Sequence, residues 1–362
     1  MKYYIIAGEA SGDLHGSNLI KEIKLLDSNA IIRSWGGDKM QAAGTTVVKH
    51  IKDLAFMGFV EVLLNIKTIM RNFSFCKNDI AAFAPNVLVL IDYPGFNLRM
   101  AKWAKQQGIK VVYYISPQIW AWKENRVHDI KKYVDKMICI LPFEQAFYAK
   151  YDMYVDNVGH PLVQVIEEYK AANTHIKKDK IIALLPGSRL QEIQKKLPIL
   201  LSVVEYFPDY KFIIAQSPTL DANVYLPYIK NTNIQLVQNA TYDILISAHA
   251  ALVTSGTATL ETALFGVPQV VCYKGNYLSY LIGKQLIKVP FISLVNLIAG
   301  KKVVTELIQR ELTTENLQQA LSNILNGKER EEMLNSYLQI HDLLGKEKAS
   351  KKAAELILKG LA

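Results

Sequence analysis

The sequence predicts an α/β protein built from two doubly wound, parallel-sheet domains. Three observations carry this. Short apolar runs alternate with stretches of helical period through most of the chain, the pattern of strand-helix-strand units. A polar stretch without any apolar run, EEYKAANTHIKKDK at 167–180, divides the alternation into two series. The length of 362 residues is about two to three times that of a single domain.

In the first series the strands are read at KYYIIA, AIIRSW, TVVKHI, NVLVLI, KVVYYI and KMICIL, with helical segments between them such as 96–107. In the second they are IIALLP, KFIIAQ, NIQLV, AALVTS and PQVVCY, each followed by a polar or glycine-containing turn. The last 50 or so residues, from TTENLQQALSNILNG to AAELILKGLA, are helical in pattern and suited to bracing one domain on another. The expected boundaries are 1–168 for the first domain, joined by a C-terminal helix at about 345–362, and 178–340 for the second.

Composition excludes several classes. With 50% hydrophobic and 21% charged residues the chain is an ordered globular protein. The three cysteines, Cys76, Cys139 and Cys272, lie far apart in apolar runs, without disulfide or zinc spacing, which fits a reducing cytoplasm. The apolar stretch in MKYYIIAGEASGD is too short for a signal-peptide core, and the longest charge-free run, 244–260, is interrupted by Ser, His, Thr and Gly. A cytoplasmic protein that does not span a bilayer is expected. The net charge of +9 favours anionic partners without choosing among nucleic acid, acidic lipid and phosphorylated small molecules. Between Arg99 and Lys136 nine Lys/Arg stand against three acids, beside Trp103, Trp120 and Trp122, as at a membrane interface or on a solvated helix face.

In an open α/β sheet ligands bind beyond the carboxyl ends of the strands, so the turns there hold the candidates. AALVT runs directly into Ser255-Gly256-Thr257 and a helix-forming segment, where backbone N–H groups at a helix start can take a capping hydroxyl or a phosphate. LLPGSRLQE repeats the design with Gly187, Ser188 and Arg189, whose guanidinium fork suits a phosphate. Two such turns in one domain suit a diphosphate. Neither matches the Walker pattern or the Gly-x-Gly-x-x-Gly fingerprint, which argues against ATP hydrolysis and NAD. Glu261, one turn beyond Thr257, is a ribose-binding candidate or an ordinary helix residue.

Asp92 ends the apolar strand NVLVLI, hemmed by Tyr93, Pro94 and Phe96; desolvation there would raise its pKa and suit a general base, and the alternative is a helix cap. Glu9, Ser11 and His15 in GEASGDLH are further acceptor-site or proton-transfer candidates, His15 alternatively being a helix-surface residue. The segment 54–75 is dense in apolar residues yet carries Glu61, Lys67 and Arg71. It reads as a core helix or as a patch, formed by Phe56, Met57, Phe59, Val62, Leu63 and Ile66, that enters a membrane interface or grips acyl chains.

GEASGD, GGDKMQAAG, MGFVEVL, IDYPGFN, YYISPQIWAWKENR, LPFE, VGHPL, LLPGSR, TSGTATLE and SLVNLIAG occur in the order found in the bacterial lipid-A-disaccharide synthase family, and the chain resembles that family over nearly its whole length. The resemblance implies a GT-B glycosyltransferase, with two Rossmann-like domains facing a cleft and a C-terminal helix returning to the N-terminal domain. It implies an inverting transfer of 2,3-diacylglucosamine from UDP to the 6-hydroxyl of 2,3-diacylglucosamine 1-phosphate, forming the β-1,6-linked disaccharide of lipid A and releasing UDP. UDP-sugar is then a substrate, and no cofactor, metal or nucleic acid is expected. Both substrates are anionic and acylated, in keeping with the basic excess, the greasy segment and a peripheral position on the inner face of the cytoplasmic membrane. A homodimer is left open.

On this resemblance Asp92 is the base, Gly187, Ser188, Arg189, Ser255, Gly256 and Thr257 hold the diphosphate, Glu261 holds the ribose, and Asn296 in SLVNLIAG faces the nucleotide. Two positions depart from some relatives: Gly95 replaces a second acid and Val295 a proline, which puts a mechanism needing two acids in that turn in question. The alternatives are another UDP-sugar enzyme of the same fold, an epimerase or a peptidoglycan glycosyltransferase, and a non-catalytic nucleotide-binding protein at the membrane surface. An epimerase would not need the greasy segment.

Overall fold

The computed structural model describes residues 1–54, 66–229, 232–276, 280, 283, 285–345 and 347–361. The chain divides into two compact units, Met1–Pro161 with Glu347–Ala362, and Leu162–Lys346. The division falls after Pro161, the first residue of the helix Pro161–Ala172, whose remainder goes with the second unit and takes up the first part of the polar stretch 167–180.

The first unit is a seven-stranded parallel sheet: β1 (Lys2–Ala7), β2 (Ile31–Gly36), β3 (Thr46–His50), β4 (Val87–Ile91), β5 (Lys110–Tyr114), β6 (Lys136–Cys139) and β7 (Asp156–Asn157), in the order β3-β2-β1-β4-β5-β6-β7. Strands covered on both faces need apolar residues at successive positions, and Val87–Ile91 is buried throughout. The chain winds outward from β1 to β3, then returns to the other side of β1 as β4, pairing Ala7 with Ile91. The turns after β1 and β4 therefore sit side by side at the point where winding reverses, the usual place for a ligand. The helix Ala349–Lys359 packs on the helix Ala10–Leu26 within this unit. Tyr4 anchors the helix Ile66–Phe83 by donating its hydroxyl to Asp79, 2.7 Å away, which also pairs with Arg33 at 2.8 Å.

The second unit repeats the plan with six parallel strands, β8 (Ile181–Leu185), β9 (Lys211–Gln216), β10 (Ile234–Gln238), β11 (Ala250–Thr254), β12 (Gln269–Tyr273) and β13 (Thr305–Ile308), in the order β10-β9-β8-β11-β12-β13. Here β8 and β11 flank the reversal, with Leu185 paired to Val253. Two strands, β7 and β13, are absent from the sequence reading. Both are short edge strands of mostly half-buried residues, with no apolar run to announce them.

Candidate functional site

In the first unit Asp92 follows β4 and is half-buried. Asp92 and Tyr93 both adopt left-handed backbone, φ +44° and +50°, a conformation that costs roughly 1–2 kcal/mol per side-chain-bearing residue. The helix Pro94–Gln106 takes Tyr93 as its N-cap and has no side-chain cap, so Asp92 is not the capping residue. Tyr93 lies over Gly8 so closely that a Cβ there would stand 2.4 Å from the Tyr93 ring. Beyond it, Phe96 stacks on Tyr93 at 5.7 Å and on Phe73 at 4.3 Å and meets Trp35 at 5.0 Å. Desolvation by burial, then the charge of Glu9, pushes Asp92 up to about 7, partly offset by the Tyr93 N–H.

Glu9 heads the helix Ala10–Leu26 as its N-cap, without a side-chain cap, two residues past the Ala7 that pairs with Ile91. Its role is that of the neighbouring carboxylate, which a search confined to the IDYPGFN turn would not find. Gly95 is exposed, and a Cβ there would meet nothing within 4 Å. Ser11 is half-buried. His15 is buried rather than on the surface, its ring 6.1 Å from that of His160; burial, then Lys39, lowers it to about 4 and keeps it neutral at pH 7. Asp13 accepts backbone N–H bonds from Gly37 at 2.7 Å, Met40 at 3.0 Å and Lys39 at 3.1 Å, so GEASGD and GGDKM form one structural piece.

In the second unit the helix Thr257–Leu264 starts from Gly256, φ +151°, with no side-chain cap. The Ser255 hydroxyl donates to the Ile292 carbonyl at 2.8 Å, tying this turn to the start of the helix Leu294–Ala299 in SLVNLIAG instead of capping its own helix. Gly256 is exposed, and Ser255 and Thr257 are half-buried. The other turn, at the adjacent strand β8, places Arg189 in the open as N-cap of the helix Leu190–Leu201, again with no side-chain cap. Gly187 has φ +119°, a conformation that disfavours any side chain, and the Glu192 carboxylate lies over it. Glu192 Oε2 accepts the Ser188 N–H at 3.0 Å and faces buried Lys196 at 3.9 Å. Desolvation pushes Lys196 down to about 8.

Glu261 is half-buried and accepts the Tyr242 hydroxyl at 2.9 Å. Asn296 is buried and fully engaged: Nδ2 donates to Val304 O and Glu306 Oε1, both at 2.9 Å, and Oδ1 accepts from Val303 N at 2.7 Å and Val304 N at 2.9 Å. An amide has four such positions, so the side chain expected to face a nucleotide is a staple that ties the helix Leu294–Ala299 to the segment leading into β13. Of the apolar patch, Phe56, Met57, Phe59, Val62 and Leu63 lie outside the described residues, and Ile66 opens the helix Ile66–Phe83. On that helix Met70 and Phe75 are 58% and 46% exposed, whereas Phe73 is buried.

Each unit thus gathers polar residues at its own winding reversal, a partly desolvated acid in one and two helix starts without side-chain caps in the other. The sequence profile of the family described as lipid-A-disaccharide synthetase matches residues 3–359. The chain belongs to that family. The lipid-A-disaccharide synthase of Nitrosococcus oceani is 40% identical over 342 residues, spanning 91% of this chain and 88% of its own length. That of Geobacter metallireducens is 38% identical over 371 aligned positions, spanning 99% and 96%. Membership makes the chain a glycosyltransferase that forms the lipid A disaccharide.

Among solved structures, a UDP complex of Staphylococcus aureus MnaA aligns with TM-score 0.67 at 12% identity, over 100% of this chain and 97% of that one. The spinosyn rhamnosyltransferase SpnG aligns with TM-score 0.63 at 13% identity, over 99% and 100%. A UDP-GlcNAc 2-epimerase from Neisseria meningitidis, bound to UDP-GlcNAc, aligns with TM-score 0.61 at 13% identity, over 100% and 99%. At such identity these show the shared GT-B fold.

The synthase also has residues at both turns that sequence reading passed over: Asn97 and Tyr113 behind Asp92, Tyr242 behind Glu261, and Glu192 with Lys196 behind Ser188. Asn97 and Glu192 lie within the quoted stretches IDYPGFN and LLPGSRLQE, and Lys196 stands four residues beyond Glu192 on the same helix. Tyr113 opens the quoted stretch YYISPQIWAWKENR, whereas Tyr242 lies in none of them, and each reaches its partner from another part of the chain.

Proposed function

We propose that this synthase joins UDP-2,3-diacylglucosamine to 2,3-diacylglucosamine 1-phosphate, with inversion, through Asp92 as general base. The acceptor 6-hydroxyl gives its proton to the Asp92 carboxylate as its oxygen bonds to the anomeric carbon of the donor. The bond from that carbon to the diphosphate breaks, and the electron pair leaves on UDP. Arg189, together with backbone N–H groups at the helix starts beyond Gly187-Ser188 and Ser255-Gly256-Thr257, holds the developing charge. Glu261 accepts hydrogen bonds from the ribose. Asn296 acts by holding the helix Leu294–Ala299 of SLVNLIAG in place.

The observation that carries this reading is Asp92 itself, an acid at the winding reversal that burial and Glu9 push up to about 7. A base poised near neutral pH combines an available carboxylate with useful proton affinity. Among the described residues no three His, Cys, Asp or Glu side chains cluster as a metal site, and the leaving-group charge is assigned to Arg189 and the helix starts.

Among the described residues no helix is long and apolar enough to cross a membrane. The basic excess and the segment 54–75 support peripheral attachment to the anionic inner face of the cytoplasmic membrane, where the acylated substrates reside.

Incubating the protein with UDP-2,3-diacylglucosamine tests the reading directly. UDP release should require the monosaccharide 1-phosphate acceptor and should survive thorough chelation with EDTA. Release without acceptor would point to hydrolysis, and activity restored only by magnesium or manganese would overturn the assignment of the leaving-group charge.

A further inference from the structure

Two side chains from different elements meet on one atom behind the proposed base. The amide of Asn97, from the helix Pro94–Gln106, donates to the Asp92 carbonyl at 2.8 Å and to the Ile91 carbonyl at 3.2 Å. The hydroxyl of Tyr113, from β5, donates to the same Asp92 carbonyl at 2.5 Å. Both residues are fully buried. A carbonyl oxygen has two lone pairs, so this one is saturated by the protein. The two bonds fix the peptide plane between Asp92 and Tyr93, the two residues held in left-handed backbone. Fixing that plane fixes the direction in which the Asp92 side chain leaves the backbone.

We propose that Asn97 and Tyr113 are positioning residues for glycosyl transfer, holding Asp92 in its left-handed turn so that the carboxylate keeps its partly buried place near Glu9. The proposal rests on the reading of Asp92 as base. Without the two bonds the turn relaxes toward ordinary backbone, and the carboxylate moves toward water and away from the Glu9 charge. The base then becomes misplaced and more acidic together. The titratable and charged groups around it are Glu9 at the start of the helix Ala10–Leu26, Tyr93 on the same turn, Tyr113 on β5 and, facing Tyr113, Arg126.

The test is steady-state kinetics across pH for Tyr113→Phe, which keeps the ring and removes only the hydroxyl, with Asn97→Ala and Asp92→Asn in parallel. For Tyr113→Phe, kcat should fall roughly tenfold to a hundredfold, the scale of a displaced catalytic group. KM for both substrates should stay within about twofold. The acid limb of the rate profile should move to lower pH, and Asn97→Ala should do the same more strongly. If Asn97→Ala fails to fold, Tyr113→Phe decides alone. Unchanged kcat and acid limb in Tyr113→Phe overturn the proposal. So does a joint loss of Tm, KM and kcat with the limb in place, the mark of a purely structural role. An active Asp92→Asn removes the base and this inference with it, whereas an inactive Asp92→Asn beside fully active Tyr113→Phe and Asn97→Ala overturns the positioning role alone.

Discussion

The two winding reversals of this protein share a plan and differ in dielectric. At the first, the turn after β4 is strained, backed by Asn97 and Tyr113, and walled by Tyr93, Phe96, Phe73 and Trp35. At the second, Arg189 and Gly256 stand in the open and both helix starts lack a side-chain cap. The difference suits the charge that the proposed function gives each to handle. A carboxylate becomes a useful base only when water is partly withdrawn from it, because burial disfavours its ionised form. A diphosphate arrives and departs as an anion, so its site needs donors that are already oriented but not enclosed. One topology serves both because it leaves two adjacent strand ends free at the reversal.

The largest expected effect comes from removing the acid of the first reversal. Asp92→Asn should lower kcat by about 100-fold to 10,000-fold, the range for loss of a general base. UDP binding, measured by calorimetry, should stay near normal because Asp92 belongs to the first unit and the phosphate turns to the second. Near-normal turnover in the folded variant would dissolve the contrast between the two turns.

At the second reversal, Arg189→Ala should weaken UDP binding by roughly 1.5–3 kcal/mol, the scale of hydrogen bonds to charged groups. UMP, with one phosphate fewer, should lose less. Equal losses for UDP, UMP and uridine would show that Arg189 supports the fold or the base instead of the β-phosphate.

The pH profile sharpens the comparison. Asp92 must be ionised to accept a proton, and burial, then Glu9, holds it at about 7, so the rate should fall as pH drops through that value. Glu9→Gln removes the like charge and leaves the burial, so the acid limb should move to lower pH and the ratio of rates at pH 6 and pH 8 should rise. A limb that stays in place would show that Glu9 and Asp92 are not electrostatically coupled in the working enzyme.

The smallest effect is expected at Glu261. Tyr242→Phe removes one hydrogen bond to its carboxylate and should weaken UDP by about 0.5–1.5 kcal/mol, the net worth of such a bond. A UDP analogue lacking both ribose hydroxyls should be insensitive to the change. If that analogue loses as much affinity as UDP, Tyr242 acts through packing with Tyr169 and Phe265 and not through the ribose contact.

By itself the sequence determined the two parallel sheets, because a strand buried on both faces is written as an apolar run, as in Val87–Ile91, Ile181–Leu185 and Ala250–Thr254, and apolar-rich runs marked eleven of the thirteen strands. It also located the turns that follow β4, β8 and β11, since polar and glycine-rich residues at strand ends have few other uses. Tertiary structure alone decided which groups meet there. Glu9 reaches Asp92 because β1 and β4 are neighbours across the reversal, although 83 positions separate the two acids in the chain. Asn97 looks like an ordinary early helix residue until its amide is seen on two strand-end carbonyls, and Asn296 looks like a ligand until its four bonds are counted. Burial pattern is local and periodic, so it is legible in one dimension. Hydrogen-bond saturation and electrostatic coupling depend on distance in space, which the order of residues does not carry.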